Sequence, residues 1–360
     1  MAKFVNITRN DTILTTEKVT KGLFTGDLGT VAGSSFTTSS LSTTQKAYYY
    51  TMQLSGEDQF SIAYGHSGGS GSSDESSTTF GKTRAIYKQF ASLLLPYEQV
   101  QGGFIINSVT QSDCYFISFE RARYKDRVNR KNWTLALSGS SGAGGAGGQI
   151  AGRTNTTASL LELTDNSEVS GTAAAITISP VGPVYSVVSG SQGTAVGNTE
   201  YGLFYPNVGV IVLSQQQLSA SLPGTPGYIN SGSNFIVSAR QGVGFARDLR
   251  VDGNADNAGK LRNSINLGGT WRYRSEEDQT SVHYFCRARA NEFNFSSNPT
   301  FLSGSRYGFA QPTYEGNPQV FITTVGLYNN RDELVAVGRL SSPVLKNYSS
   351  EATIKVKLTY

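Results

Sequence analysis

Gln319–Tyr328 (QVFITTVGLY) and Glu333–Leu340 (ELVAVGRL), joined by Asn329-Asn330-Arg331-Asp332, decide the fold class. Val320, Phe321, Ile322, Val325 and Leu327 are the β-branched, aromatic and aliphatic types that pack well on a pleated surface. The Asn-Asn pair supplies residues tolerant of φ > 0, so a strand–turn–strand unit is expected. Ser341-Ser342-Pro343 reads as a break, after which the chain ends in Ala352–Tyr360 (ATIKVKLTY). There Ile354, Val356 and Leu358 alternate with Lys355, Lys357 and Thr359, the pattern of a strand with one buried and one wet face.

Further strand-like runs precede this end: Ala47–Leu54 (AYYYTMQL), Gln59–Tyr64 (QFSIAY), Cys114–Phe119 (CYFISF), Trp133–Leu137 (WTLAL) and Val208–Leu213 (VGVIVL). One helix stands out, Thr83–Leu95 (TRAIYKQFASLLL), where Ile86, Phe90, Leu93 and Leu94 fall at helical spacing and Pro96 ends the run. Ser214-Gln215-Gln216-Gln217 fits a capping box opening a short helix closed by Pro223-Gly224, and Ala258–Ile265 is a further helix candidate. Ser138–Gly148 (SGSSGAGGAGG) is a low-complexity loop. The expected fold is mainly β: antiparallel sheets, sandwich- or barrel-like, with long Gly/Ser-rich loops and one or two short helices. Three regions are expected: an extended arm over 1–45, a β-rich domain with one helix and the Gly-rich loop over 46–222, and a β-rich C-terminal domain over 223–360.

Composition narrows the function classes. Charged residues make up 16 % of the 360, below the roughly 25 % of ordinary globular chains, while glycine is abundant at 40 residues. Low charge with many aromatic and hydroxyl side chains suits long sheets and surfaces that neighbours cover. A net charge of +4 is too small and dispersed to imply nucleic acid. The N-terminus lacks a basic-plus-apolar signal pattern and no long apolar run occurs, so a soluble protein made in a cytoplasm, with no membrane segment, is expected. Cys114 and Cys286 form no Cys-x-x-Cys pair and read as reduced thiols, although a bridge between them is not excluded by sequence.

Motifs that carry chemistry are incomplete. Gly65-His66-Ser67-Gly68-Gly69 matches a nucleophile elbow, but the polar SGSSDESSTTFG that follows offers no helix start, and His283 is the one other histidine. Gly81-Lys82-Thr83 resembles the end of a phosphate-binding loop, yet Ser76 stands where its first glycine is needed. Asp248, Asp252 and Asp256 lack calcium-loop spacing. No enzyme activity, cofactor or metal is expected. The densest charge cluster is Arg121, Arg123, Lys125, Arg127, Arg130 and Lys131; as a strand, its first four cations would share one face, with Ala122, Tyr124 and Val128 on the other. It is a docking-face candidate for an acidic protein partner or, less favoured, for nucleic acid, or a charged edge that discourages strand pairing. Arg287 and Arg289 repeat the alternation and are expected to pair with acids within a sheet. Lys355 and Lys357 on the last strand are further interface candidates, with Tyr307 and Tyr314. Together with Tyr48-Tyr49-Tyr50, those two tyrosines are candidate stacking residues for a glycan.

Several segments resemble virion structural proteins of contractile-tailed phages, particularly cyanophages. They are QFSIAYG (59–65), RAIYKQFASLLL (84–95), RARYKDRVNRKNWTLAL (121–137), YGLFYPNVGVIVL (201–213), NEFNFSSNPTF (291–301) and NPQVFITTVGLYNNRDELVAVGRLSSPVL (317–345). The similarity rests on their number and order along most of the chain. In similar proteins a Pro-Gly often precedes the Asn-Trp, where this chain has Arg130-Lys131 before Asn132-Trp133. The resemblance implies a non-enzymatic subunit of the virion tail, in the baseplate or the tail-to-fibre connection. Its partners would be other tail proteins and further copies of itself, as a homo-oligomer or symmetric multi-copy assembly. A receptor- or glycan-binding fibre module and a capsid decoration or neck protein are the alternatives.

Overall fold

The computed structural model describes residues 4–39, 48–69, 82–140, 158–167, 177–222, 257–267, 269–296, 301–303, 308–309 and 315–359. In chain order the principal strands are β1 (Thr12–Gly22), β2 (Thr37–Thr38), β3 (Tyr49–Leu54), β4 (Glu57–His66), β5 (Asp113–Phe119), β6 (Leu135–Ser140), β7 (Ala158–Asp165), β8 (Gly182–Ser191), β9 (Thr194–Tyr205), β10 (Val210–Ser214), β11 (Arg274–Ala288), β12 (Val320–Tyr328), β13 (Leu334–Lys346) and β14 (Ala352–Thr359). The main helices are α1 (Thr83–Leu94), α2 (Gln215–Ser221) and α3 (Asn257–Leu267). The chain is mainly β and its strand pairs are antiparallel, as composition and pattern imply.

The chain forms two compact units, one of Val19–Glu277 and one of Met1–Lys18 with Asp278–Tyr360. These limits fall inside β1 and β11, whereas the sequence placed boundaries at 45/46 and 222/223. Leu23, Phe24, Val31 and Phe36, in the segment read as an arm, are buried members of the larger core.

The Val19–Glu277 unit holds a curled sheet of nine consecutive strands in the order β6-β7-β8-β9-β10-β5-β4-β3-β2. Its central strands are apolar on both faces because each face meets a different core. Phe60, Ile62 and Tyr64 of β4, Tyr115 and Ile117 of β5, and Ile211 and Leu213 of β10 point into one core. Ala63, Phe116, Val210 and Val212, the alternate residues, point into the other. The register Tyr64↔Tyr115 and Ala63↔Phe116 keeps the two sets apart. On the first face Trp271 stacks on Phe60 (4.8 Å, 14°), Trp133 stacks on Tyr273 (5.4 Å, 13°), and Ala258, Leu261 and Ile265 of α3 join them.

On the second face lies α1, with Tyr87, Ala91 and Leu94 buried and Phe90 stacked on Phe116 at 4.2 Å. The helix is where the spacing puts it, but rotated: Leu93 is 48 % exposed. The buried stripe runs through Thr83, Tyr87, Ala91 and Leu94, so the largest aromatic, not the most apolar run, sets which side faces inward. Of the capping box expected at α2, the N-cap half is formed, with the Gln217 N–H donating to Ser214 Oγ at 3.2 Å; Pro223-Gly224 lie outside the described residues.

In the second unit the sheet order is β1-β11-β14, and β12 and β13 pair with each other as a hairpin. Two local expectations are corrected. The φ > 0 residue of the hairpin turn is Asp332 (φ 60°), while Asn329 Oδ1 accepts from the Arg331 and Glu333 N–H groups, both at 2.9 Å. The Asn side chain thus organises the turn and the backbone reversal falls later. Ser341-Ser342-Pro343 does not end the strand; the register steps from Ile322↔Val344 to Thr324↔Arg339, a bulge that accommodates the proline without losing β13.

Candidate functional site

The basic segment is held as a turn, so the arrangement in which a strand would put its first four cations on one face does not form. Arg121–Tyr124 make one helical turn, Lys125 takes φ 49°, and only Arg127–Val128 are extended, paired with Glu276 and Ser275. Left-handed Lys125 breaks the alternation, and Tyr124 and Val128 are buried on either side of it. The cations then meet partners inside the fold. Arg123 reaches the Glu57 carboxylate at 2.7 Å and the Asp58 carbonyl at 3.2 Å, and Lys125 pairs with Glu277. Arg127 Nε donates to one oxygen of Glu276 at 3.0 Å and Asn129 to the other at 2.7 Å. Arg130 donates to the Tyr185 hydroxyl at 2.6 Å and lies over its ring. Arg121 lies over the Tyr124 ring and donates to the Asp126 carbonyl at 3.2 Å. The Lys131 N–H donates to Asp165 at 2.8 Å.

The energetic logic is that of a clamp. Glu276 is buried, and donors to both of its oxygens offset the cost of burying a carboxylate. The Arg123 hydrogen bond, with that of Thr25, holds the Glu57 carboxyl below the usual carboxylate range. These cations tie the 121–131 segment to β4, β8 and β11.

The elbow-like motif is a packing feature. A Cβ on Gly65 would stand 2.8 Å from the Phe116 ring and 2.9 Å from the Tyr87 nitrogen, so glycine lets α1 cross β4 closely. The chain turns at Ser67, whose N–H donates to the Ser112 carbonyl at 2.7 Å, and no helix opens over the described residues Ser67, Gly68 and Gly69. The strand–serine–helix geometry of an elbow is therefore not formed. Asp248, Asp252 and Asp256 lie outside the described residues, as do Tyr307 and Tyr314. Among the described residues no group of His, Cys, Asp and Glu has metal-site geometry, and no helix is long and apolar enough to cross a membrane. Tyr48 and Tyr50 are buried, and Tyr49 hydrogen-bonds Thr51 and Ser61, so the tyrosine triplet is part of the fold and not a stacking platform. Both cysteines are free; burial pushes the Cys114 thiol well up, and burial with the Asp11 charge raises that of Cys286.

The remaining candidates, Lys355 and Lys357, lie on β14 in the unit formed by Met1–Lys18 and Asp278–Tyr360. Their strand alternates as expected, but Ile354, Val356 and Leu358 are only half-buried. His283, opposite Lys357 in the register, anchors the polar face, with Nε2 3.1 Å from Thr15 Oγ1. On that face Lys357 pairs with Glu17 at 3.2 Å, Arg287 pairs with Asp11 at 3.0 Å as its alternation implies, and Lys355 lies over the Phe285 ring. Strand alternation places Leu14, Val282, Tyr284, Val356 and Leu358 on the other face, where Gly338 of β13 sits against Val356.

This unit is poor in buried apolar side chains. Neither hydrophobic core includes a residue of it, and among the described residues only Ala288, Phe301, Leu327 and Ala352 of its apolar side chains are buried. It is little more than a quarter of the chain, yet among the described residues it carries fourteen of the twenty-two large hydrophobic side chains found exposed. On the hairpin these include Phe321 (64 %), Val335 (64 %) and Val337 (60 %). Exposed apolar clusters of this kind mark interaction surfaces. Sequence reading named Lys355 and Lys357 but missed the acids across the sheet from them, Asp11 and Glu17, because they lie some 340 positions away. The signal for the apolar hairpin was there in QVFITTVGLY, which is apolar on both strand faces.

No protein-family model matches the chain, and no match was found among curated proteins or among solved structures.

Proposed function

We propose that this chain is a non-enzymatic structural subunit of a tailed-phage virion, placed in the baseplate or the tail-to-fibre connection and acting through subunit interfaces. The observation that carries the reading is the unit built from the two chain ends, whose β-strands hold apolar side chains out of any core. A sheet of three strands and a hairpin with so little buried apolar surface is marginal alone and gains stability when neighbours cover it. The resemblance of six ordered segments to tail proteins of contractile phages supplies the setting.

Immunogold labelling of intact and contracted particles with antibody against this chain tests the proposal. Label at the distal end of the tail is expected. Label on heads, at the neck or along fibres overturns the baseplate reading in favour of a decoration or receptor role, and unlabelled particles overturn the virion reading altogether.

A further inference from the structure

Among the described residues β1 and β14 are the two outer strands of their sheet, each with one neighbour, β11. Each therefore presents a row of backbone N–H and C=O groups on its outer edge, a template for another strand. The two edges differ in charge. On the polar face β14 carries Lys355 and Lys357, both exposed, with Lys355 over the Phe285 ring. On that same face the β1 side carries Glu17, exposed and already paired with Lys357 of its own chain, and just before the strand Asp11, paired with Arg287; of the two lysines of β1, Lys18 alternates to the opposite face and Lys21 follows near the strand's end. An edge paired with a copy of itself would set lysine against lysine or acid against acid, which is destabilising. Pairing β14 of one molecule with β1 of the next sets Lys355 and Lys357 against Glu17 and Asp11, and keeps the polar faces on the same side.

We infer that the covering partner of this unit is a second copy of the same chain, joined head to tail, with the outer edge of β14 continuing into β1 of its neighbour. This inference rests on the structural-subunit reading and names the partner it requires. Because the two edges are different surfaces, the contact is heterologous, and repetition closes a ring when the rotation allows it. The same step places Leu14, 68 % exposed, beside the half-buried Val356 and Leu358 of the adjoining copy, extending one apolar face across the junction.

Disulfide trapping in the full chain tests the junction. Glu17→Cys is combined with Lys355→Cys in one variant and with Lys357→Cys in another, both with Cys286→Ser. Within one molecule β11 separates the two positions by two strand spacings, about 9.5 Å, beyond the roughly 7 Å limit for a disulfide, so any bridge formed lies between copies. Mild oxidation is expected to move most of one or both variants into dimers and higher species on a non-reducing denaturing gel, reversed by dithiothreitol. Circular dichroism melting like that of the unmodified chain confirms that the variants are folded. Two results overturn the inference: monomer bands from both folded variants, or a monomer mass for the unmodified chain by light scattering at tens of micromolar. Neither touches the structural-subunit reading, which particle labelling decides separately.

Discussion

At the scale of single residues, His283 of the terminal unit has one ring nitrogen partnered and the other bare. Its Nε2 lies 3.1 Å from Thr15 Oγ1, whose hydroxyl is in reach of the Ser281 carbonyl at 3.4 Å. If Thr15 donates to that carbonyl, the imidazole must donate from Nε2 to Thr15, which leaves Nδ1 bare and the ring neutral. Nδ1 is buried without a partner, as a neutral ring tolerates and a protonated one does not. Desolvation, then the charges of Lys355 and Lys357, hold its pKa below the ordinary value, against an opposing pull from Glu17. A histidine with a depressed folded pKa binds fewer protons folded than unfolded. Its contribution is complete above about pH 6.5, the unfolded value, and is lost as pH falls from there toward the folded one. The thermal midpoint of this unit is therefore expected to drop between pH 7 and pH 5, a window above the titration of the Asp11 and Glu57 carboxyls, both lowered. His283→Gln should flatten that dependence, and an unchanged slope in melts of the variant would refute the assignment. Lys346, by contrast, is fully matched: buried, it donates to the Ala290 carbonyl, Asn294 Oδ1 and the Asn347 carbonyl at 3.0, 2.7 and 2.8 Å, closing the Asn291–Asn294 bend against β13.

At the scale of elements, α1 is fastened by one hydroxyl. Tyr87 donates to the Gln111 carbonyl at 2.6 Å and accepts from the Phe104 N–H at 3.1 Å, joining the helix to the chain that enters β5. Burial raises its pKa to about 12, so it stays a donor at any ordinary pH. Tyr87→Phe keeps the ring contacts with Phe104 and Phe116 but leaves two buried backbone groups unpaired, for an expected loss of about 1–3 kcal/mol in urea unfolding. A loss under half a kcal/mol would mean that water replaces the hydroxyl. Elements of this kind were legible in the sequence where one rule governed them. The VIVL and CYFISF runs, the α1 span and the Ser214 cap are each local patterns, and each formed where expected, although α1 turns a different stripe inward than its spacing implied. The Arg121–Lys131 segment was not legible, because a charged run is equally compatible with strand and turn, and the choice falls to distant acids. Glu57 lies 66 positions from Arg123, and Glu276 lies 149 from Arg127. The β1 edge was hidden for the same reason: its place beside β11 depends on pairing across nearly the whole chain.

At the scale of the whole molecule, the distribution of apolar burial leads to unequal stability. The Val19–Glu277 unit owns both hydrophobic cores, with Trp133, Trp271, Tyr87, Phe104 and Phe116 fully buried among them. The terminal unit relies on strand pairing, buried polar contacts such as those of Lys346, and half-covered faces. Multi-domain chains of this kind depart from two-state unfolding when the parts differ in stability. Scanning calorimetry is therefore expected to show two transitions, with the terminal unit melting first. If copies of the chain cover that unit, mass action ties its stability to protein concentration, because association removes its folded form from the unfolding equilibrium. A tenfold increase in concentration should raise the first transition by several degrees and leave the second in place. The size follows from RT ln 10, about 1.4 kcal/mol, acting on a unit of roughly a hundred residues. A first transition that ignores concentration would leave the exposed hairpin to a partner other than this chain, and a single sharp transition would mean that the terminal strands draw their stability from the larger unit.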